Sequence, residues 1–333
     1  MAMRIFLTGI NGFLGRHVAL KLNYAGHEVL GLVRSDVRKD CLSGLPIEYC
    51  EGDLLDADSY KTQVETCDAV IHTAAITSFH IYDESNAYLI NTEGTKKLLQ
   101  ISVDSGIKRF IYISTRGTLG VSHNPENSSE QDGYKEKNKM DTYFITKYLA
   151  EKEVIKYSTQ KNIFSLVLSP TAMIGKYDDK PSPVGQILLS YLKGKIKVYM
   201  DGGINIVDVE DVALASVRAL TKGKNGEVYI IGNKNMSLYN LFEKIASIHS
   251  VKLPKIKLPY FIAYSVAFII EKCARIIGRS PFTTRNKVFS LYNNHSFCSS
   301  EKAINELGIK NVPISKTLDN TVNWFCSYYD IYK

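Results

Sequence analysis

The chain has 333 residues, of which 45% are hydrophobic and 23% charged. These proportions indicate a soluble globular protein with an ample core, and the length allows one large domain or a large and a small one. The 41 basic and 34 acidic residues give a net charge of +7. Because Lys and Arg are scattered rather than clustered, we expect no nucleic-acid partner. A phosphorylated ligand explains part of the basic excess better.

The six cysteines show neither a C-x-x-C pair nor the spacing of metal ligands: Cys41, Cys50, Cys67, Cys273, Cys298 and Cys326. They predict reduced thiols and no metal site. No signal peptide precedes the first predicted strand, which begins almost at Met1. Both features favour a cytoplasmic protein.

An apolar run over residues 3–7 leads directly into the sequence TGINGFLG, residues 8–15, and a helix-like pattern follows it. Its three glycines lie three residues apart. The first two permit a tight turn and the close approach of a pyrophosphate, while the third lets the helix pack on the strand. An ordinary glycine-containing turn is the alternative, but the strand before and the helix after favour a dinucleotide site. We expect the cofactor to contact Gly9, Asn11, Gly12, Phe13, Leu14 and Gly15.

The second predicted strand, residues 28–33, is followed by Arg34. At this point of a Rossmann fold an acid favours the free ribose hydroxyl of NAD, whereas an arginine can hold the 2′-phosphate of NADP. Arg34, with Arg38 or Lys39 behind it, therefore favours NADP(H) over NAD(H). A solvated basic loop is the alternative.

Two further strands end in residues suited to a cofactor lying across the sheet. Residues 47–52 lead into Asp53 and Leu54, a carboxylate for the adenine amino group and a side chain to pack on the ring. Residues 68–73 end in Thr73 and lead into Ala74 and Ala75, which are small enough for close approach. Each pattern also occurs in ordinary loops, so the prediction depends on their occurring together.

The next predicted helix covers residues 86–105, and a fifth strand, residues 109–113, precedes Ser114 and Thr115. We expect these hydroxyls to face the nicotinamide. Residues 124–139 are polar, contain Pro and Gly, and predict a loop that covers the site. His123 at its start is expected to be a surface residue.

Tyr143 and Lys147 open a helix that is predicted to continue to about residue 157. A spacing of four places the phenol and the ammonium on one face of the helix. An ammonium beside a phenol lowers the pKa of the phenol, as tyrosine acid/base chemistry near neutral pH requires.

A sixth strand, residues 164–168, leads into Ser169, Pro170 and Thr171. From about residue 176 the predicted elements become short. We therefore predict an α/β protein in which residues 1–175 form a doubly wound parallel sheet and residues 204–232 cross back to it. Residues 176–333 are predicted to form mainly a smaller α/β substrate-binding region.

The most apolar stretch is LPYFIAYSVAFII, residues 258–270, and an apolar helix is expected over residues 258–277. It is too short to span a bilayer and is followed at once by Glu271 and Lys272. A buried helix, the wall of an apolar pocket and a helix lying on a membrane surface are the three interpretations, in that order of preference.

Seven motifs occur in the order typical of the extended short-chain dehydrogenase/reductase family, over essentially the whole chain: TGINGFLG (8–15), GDL (52–54), HTAA (72–75), NTEGTKKLL (91–99), YISTRGTLG (112–120), YFITK (143–147) and SPTAMIG (169–175). The resemblance implies a Rossmann domain and a smaller C-terminal substrate domain. It also implies that Tyr143 is the general acid/base and that Lys147 holds the nicotinamide ribose and lowers the pKa of Tyr143.

The same resemblance assigns the remaining site residues. The family's catalytic hydroxyl stands five positions before the glycine that matches Gly120, which selects Thr115, with Ser114 as its neighbour. Pro170 and Thr171 of the last motif are implied to contact the cofactor. Asn91 resembles the family's structural asparagine.

The branch of the family is indicated by later segments. Sugar-nucleotide epimerases usually carry an arginine before a short strand where this chain has Ile204. The segments SPTAMIGKYDDKPSPVG and GGINIVDVEDVA resemble dihydroflavonol-reductase-like proteins and their hopanoid-associated relatives, and FCSSEKAINELG resembles 3β-hydroxysteroid dehydrogenases. These resemblances imply a fairly apolar alcohol or ketone substrate and net hydride transfer.

Two alternatives remain open. A nucleotide-sugar epimerase or dehydratase would use bound NAD, and Arg34 and Ile204 count against it. A non-catalytic NADP-sensing protein would not need the Tyr143, Lys147 and Thr115 set. Relatives form either monomers or homodimers packed through two helices per subunit, and the sequence leaves this choice open.

Overall fold

The computed structural model describes residues 2–34, 42–77, 84–119, 128–132, 142–160, 163–278, 281, 283–292 and 296–331. The strands are β1 (Arg4–Thr8), β2 (Glu28–Val33), β3 (Ile47–Glu51), β4 (Ala69–His72), β5 (Arg109–Ile113), β6 (Phe164–Pro170), β7 (Ala172–Ile174), β8 (Val198–Tyr199), β9 (Gly203–Asp208), β10 (Val228–Ile231), β11 (Lys234–Ser237) and β12 (Ile256–Lys257). The helices are α1 (Phe13–Tyr24), α2 (Lys61–Val64), α3 (Glu84–Tyr88), α4 (Thr95–Asp104), α5 (Thr142–Gln160), α6 (Pro183–Leu192), α7 (Val209–Lys222), α8 (Leu238–Ile248), α9 (Tyr260–Ile277), α10 (Arg285–Leu291), α11 (Glu301–Leu307) and α12 (Ile314–Tyr328). A π-helical turn, Leu89–Gly94, joins α3 to α4.

Seven parallel strands form the large sheet in the order β10-β6-β5-β4-β1-β2-β3. The direction of winding reverses between β1 and β4, so a crevice opens there at the carboxyl ends of the strands. The predicted α/β class with a doubly wound parallel sheet is confirmed.

Helices cover both faces of this sheet, as an all-parallel sheet requires. Ile5 and Leu7 of β1 pack on the side of α1 and α7, whereas Phe6 points to the opposite side, with α4 and α5. This alternation follows from the two-residue period of a strand, which points successive side chains to opposite faces of the sheet.

The chain returns to the large sheet after leaving it. Helix α7 packs on α1, and β10 pairs with β6 as the seventh strand. Ala303 and Leu307 of α11 join the same core.

A smaller region stands beside the carboxyl edge of the large sheet. It contains a three-stranded sheet in the order β11-β9-β7, a two-stranded pair of β8 and β12, and the helices α6, α8 and α12 around a separate core. Helix α9 follows β12 and packs on α10. Among the residues that the structure describes, no helix combines the length and apolarity needed to cross a bilayer.

Candidate active site

A cleft of about 1200 Å³ lies between the large sheet and the smaller region. We call its two sides the glycine-turn wall and the apolar wall. The glycine-turn wall is formed by residues that the sequence assigned to the site: Gly9, Asn11, Gly12, Phe13, Leu14, Gly15, Arg34, Asp53, Leu54, Thr73, Ala74, Ala75, Ser114, Thr115, Tyr143, Lys147, Pro170 and Thr171. Arg38 and Lys39 lie outside the described residues, as do His123 and most of the predicted covering loop. Within the described ranges, no three His, Cys, Asp or Glu side chains are grouped so that they could hold a metal ion.

The glycine turn is closed by contacts that leave no room for side chains. Gly9 has a φ of +73°, and a Cβ there would lie 2.7 Å from the backbone nitrogen of Ala74. A Cβ on Gly15 would overlap the carbonyl oxygen of Gly9. The turn can therefore form only with glycine at these two positions.

The start of α1 is open toward the cleft. Gly12 is the N-cap residue, so no side chain caps the first turn, and that turn contains no acid. The free N–H groups and the positive end of the helix dipole are therefore available to an anion. This arrangement fits the pyrophosphate of a dinucleotide.

The adenine end of the expected cofactor site has an exposed cation and an exposed acid. Arg34 is exposed and follows β2, and Asp53 follows β3 beside it. The Asp53 carboxylate accepts a hydrogen bond from the backbone N–H of Leu55 at 2.8 Å, which fixes the direction of the carboxylate. Leu54 is buried at the base of the same turn.

A buried chain of hydrogen bonds aligns the ends of β1 and β4. The Oγ1 atom of Thr8 lies 2.6 Å from Nδ1 of His72, and Nε2 of His72 lies 2.9 Å from Oγ1 of Thr95. Burial lowers the pKa of His72 to about 3, so the imidazole is neutral and bonds two hydroxyls. The Thr73 hydroxyl donates to the carbonyl of Thr8 at 2.7 Å. These bonds hold the strand ends that carry Ala74 and Ala75.

Asn91 connects the cleft to α5 from the π-helical turn. Its Oδ1 accepts from the backbone N–H of Ile76 at 2.8 Å, and its Nδ2 donates to the Ile76 carbonyl and to Oγ1 of Thr146. Thr146 directly precedes Lys147, so Asn91 fixes the position of α5 against the sheet. Such π-turns often occur at functional sites.

Tyr143 and Lys147 lie one turn apart on α5, and both line the cleft. The Lys147 ammonium donates to the Ile113 carbonyl at 2.6 Å and lies 4.2 Å from the centre of the Tyr112 ring. Burial lowers the pKa of Lys147 to about 7, and the Glu151 carboxylate opposes this shift.

The pKa of Tyr143 differs from the sequence-based expectation. A lowered pKa was expected from the neighbouring ammonium, but burial of the phenol in the cleft wall raises it. Desolvation of the phenolate is the cause, and the Lys147 ammonium is directed to the Ile113 carbonyl.

The two candidate hydroxyls have different surroundings. Ser114 donates to the buried carboxylate of Glu151 at 2.8 Å, and Thr118 donates to the same oxygen at 3.0 Å. Thr115 accepts from the backbone N–H of Gly117 at 3.3 Å. This acceptor role leaves the Thr115 hydroxyl proton free to be donated within the cleft.

Glu151 is a buried residue that bonds the cleft residue Ser114 and that the sequence analysis missed. Burial raises its pKa, while the hydroxyls of Ser114 and Thr118 favour the charged form. A signal for it was present, because Tyr143, Lys147 and Glu151 are each four residues apart and share one helix face.

The apolar wall is supplied by β7, α6, β9 and α10: Met173, Val184, Ile187, Ile204, Phe289 and Leu291. Polar residues lie between these side chains, among them Asp178, Lys180, Gln186, Asn205 and Asn286. Asp178 accepts from the Ser182 hydroxyl at 2.8 Å, and Asn205 donates to Asn235 at 2.7 Å. Ile204, at the position where epimerases carry an arginine, is buried. A bound group would therefore meet the hydrocarbon of six large side chains on this side, with polar groups between them.

Comparison with known proteins agrees with this geometry. The model of the NAD dependent epimerase/dehydratase family matches residues 5–232. A candidate dihydroflavonol 4-reductase from Synechocystis sp. is 31% identical, with 98% of this chain and 95% of that protein aligned. Sterol demethylase protein B of Methylococcus capsulatus is 25% identical, with 97% of this chain and 98% of that protein aligned.

Among solved structures, the crystal structure of gox2253 superposes with a TM-score of 0.86 at 32% identity, covering 97% of this chain and 98% of that one. The family match covers more than half of the chain, and its relatives are named as reductases and dehydrogenases. The chain therefore belongs to the NAD dependent epimerase/dehydratase family and is an enzyme of the extended short-chain dehydrogenase/reductase type.

Proposed function

We propose that this enzyme is an NADP-dependent oxidoreductase that interconverts a secondary alcohol and a ketone or aldehyde on a fairly apolar substrate. Steroid-, terpenoid- and flavonoid-like molecules are the substrate classes that fit. The observation that carries the proposal is the apolar wall, in which Ile204 and Phe289 face the same cleft as Tyr143 and Lys147.

The glycine-turn wall accounts for cofactor binding. The pyrophosphate fits the open start of α1, and the small side chains of Ala74 and Ala75 leave space for the chain of the dinucleotide across the strand ends. The exposed Arg34 after β2 supports a preference for NADP(H), since a guanidinium can hold a 2′-phosphate, and Arg38 is proposed to assist it. When bound, the nicotinamide supplies or accepts the hydride.

The chain's own residues move and place the proton. In the reductive direction Tyr143 donates its phenolic proton to the substrate carbonyl oxygen, and Thr115 donates a hydrogen bond to the same oxygen. Lys147 is held by the Ile113 carbonyl, and its remaining N–H bonds can reach the nicotinamide ribose. Its positive charge stabilises the phenolate that remains after proton transfer.

Two other activities have weaker support. In nucleotide-sugar epimerases an arginine usually contacts the diphosphate, and the buried hydrocarbon of Ile204 occupies the corresponding position in this chain. A non-catalytic NADP-sensing protein would have no need for the Tyr143, Lys147 and Thr115 arrangement at the strand ends.

The test is titration of the purified protein with NADPH and with NADH, followed by a panel of apolar ketones and UDP-sugars. The proposal predicts tighter binding of NADPH, oxidation of NADPH by a member of the ketone panel, and no binding of UDP-glucose. If NAD stays bound to the purified protein and a UDP-sugar binds as well, the epimerase function would be supported in place of the proposal. NADPH binding without turnover of any ketone or alcohol would favour the sensing function.

A further inference from the structure

Helix α9 turns its small side chains inward and its large apolar side chains outward. Ala263, Ala267 and Ala274 are its buried residues. The outward side chains are 36% to 85% exposed: Phe261, Ile262, Tyr264, Val266, Phe268, Ile269, Ile276 and Ile277. A surface helix of a globular protein normally shows the opposite pattern. The exposed apolar side of α9 is therefore a surface that contact with another apolar body would stabilise.

The exposed residues form one continuous face. Phe261, Phe268, Ile269, Lys272 and Ile276 follow one another at intervals of seven, one, three and four residues, which places them on a single side of the helix. With 18 residues, α9 is about 27 Å long. The face is thus a long apolar surface rather than a few scattered side chains.

Two basic residues of α9 accompany this face, and the helix itself contributes no acid to it. Lys272 and Arg275 are exposed, and Lys272 lies 5.5 Å from the centre of the Phe268 ring. The single acid of α9, Glu271, is on the inward side and is paired with Arg285 at 2.8 Å. Apolar side chains with cations beside them match the boundary between acyl chains and anionic headgroups.

A second copy of this chain is a less suitable partner for the exposed face of α9 than a lipid surface is. In a two-fold symmetric contact the same surface of both copies would meet, and Lys272 and Arg275 would approach their own counterparts. Because α9 presents no outward acid that could pair with these cations across such a contact, the like charges would oppose association. An anionic lipid surface carries negative charge that attracts both cations.

The face is continuous with the cleft through α10. Val288 of α10 packs against Ala263 and Ala267, and Phe289 and Leu291 of the same helix belong to the apolar wall. The exposed face and the apolar wall are therefore joined by one short helix.

We propose that α9 docks this enzyme on the surface of an anionic phospholipid bilayer, with the helix axis parallel to the membrane plane. The docking stands on the exposed face and its charge, independently of the reaction. That apolar substrates pass between the bilayer and the cleft is a consequence that rests on the proposed function.

The test is flotation of the full chain with vesicles of phosphatidylcholine alone and of phosphatidylcholine with phosphatidylglycerol. We expect binding to the anionic vesicles and weaker binding to the neutral ones and at high salt. The double variant Phe261→Asn, Ile269→Asn should bind at least about tenfold more weakly, because two apolar side chains no longer enter the bilayer. Lys272→Glu combined with Arg275→Glu should abolish the preference for anionic lipid.

The matched control is Tyr24→Asn, since Tyr24 is 79% exposed at the end of α1, away from this face. It should bind vesicles like the wild type. The proposal is overturned if the wild type does not float with anionic vesicles, or if the double variant binds as well as the wild type does. It is also overturned if gel filtration shows that the wild type is a dimer and that the double variant is a monomer. Vesicle binding is measured without substrate. A protein that binds vesicles but turns over no ketone would therefore contradict the proposed function and leave the docking proposal standing.

Discussion

The glycine-turn wall is built largely from backbone and small side chains, whereas the apolar wall is built from large side chains of four separate elements. Gly9 and Gly15 are required by the path of the chain itself, because any side chain would collide with backbone a few residues away or at the next strand. Met173, Ile187, Ile204 and the residues of α10 meet only after the smaller region has folded. Cofactor binding is therefore specified locally, and the substrate is selected by tertiary assembly.

The largest effect on stability should come from the glycine-turn wall. Gly15→Ala would push a methyl group into the Gly9 carbonyl and should lower the free energy of unfolding by about 3 kcal/mol. Urea denaturation measures this change. Gly26→Ala is the control, since Gly26 has a φ of +78° but no neighbour within 4 Å, and it should cost only about 1 kcal/mol. Equal losses in both variants would show that the turn is not closed as described.

Tyr143→Phe should lower turnover by about a hundredfold or more, the range for a positioned acid/base group. The affinity for NADPH should change little, because the glycine turn and Arg34 are untouched. Steady-state kinetics and cofactor titration separate the two quantities. Tyr148→Phe, on the same helix, should keep wild-type turnover. Full activity of the Tyr143 variant would remove this residue from the mechanism.

Arg34→Asp should weaken NADPH binding by about tenfold, because one charge-assisted hydrogen bond to the 2′-phosphate is lost. The affinity for NADH should stay the same or rise, as an acid suits the free ribose hydroxyl. Fluorescence titration with both cofactors gives the ratio. The exposed Lys61, replaced by Asp, controls for a general change in charge. If the ratio of affinities does not move, Arg34 does not read the 2′-phosphate.

The smallest expected effect is a shift in pH dependence. Lys147 must be protonated for its proposed role, so kcat/KM should fall as the pH rises through its pKa of about 7. Burial lowers that pKa and the negative charge of Glu151 raises it, while His72 and Tyr112 are further groups near the ammonium. Glu151→Gln should therefore move the alkaline limb to lower pH.

Glu153→Gln serves as the control for this shift, because Glu153 lies on the same helix and pairs with Lys156 at the surface. Its pH profile should match that of the wild type. If the pH profile of kcat/KM is unchanged in the Glu151 variant, Glu151 does not influence the pKa of Lys147 and only holds the hydroxyls of Ser114 and Thr118 in place.

The difference between the walls also explains what the sequence could predict. Strands β1 to β6 were recognised because each is a short apolar run between turn residues, and the glycine turn because its spacing reflects a local steric requirement. Every described residue assigned to the site from sequence lines the cleft. Their catalytic roles stay predictions until the variants above are measured.

Other features depend on contacts between distant segments. The pKa of Tyr143 was expected to fall, but it rises because the assembled cleft buries the phenol. Glu151 receives its role from Ser114 and Thr118, more than 30 residues earlier in the chain. The apolar stretch that forms α9 was interpreted first as a buried helix, which is wrong, because Ala263 and Ala267 face the packing partner and most of the large side chains are exposed. A pKa shift, a buried contact or the exposure of a helix that is set by distant segments leaves no recognisable pattern in the local sequence.

The most direct test of the account is transfer of deuterium from NADPH labelled at C4 of the nicotinamide, on either face, to an apolar ketone. The account predicts that one of the two labelled forms places deuterium on the new carbinol carbon, with one NADPH consumed for each alcohol formed. Tyr143→Phe should slow the appearance of the label by about a hundredfold or more. Label that stays on a retained cofactor, while a sugar nucleotide changes configuration, would contradict net reduction of an apolar carbonyl.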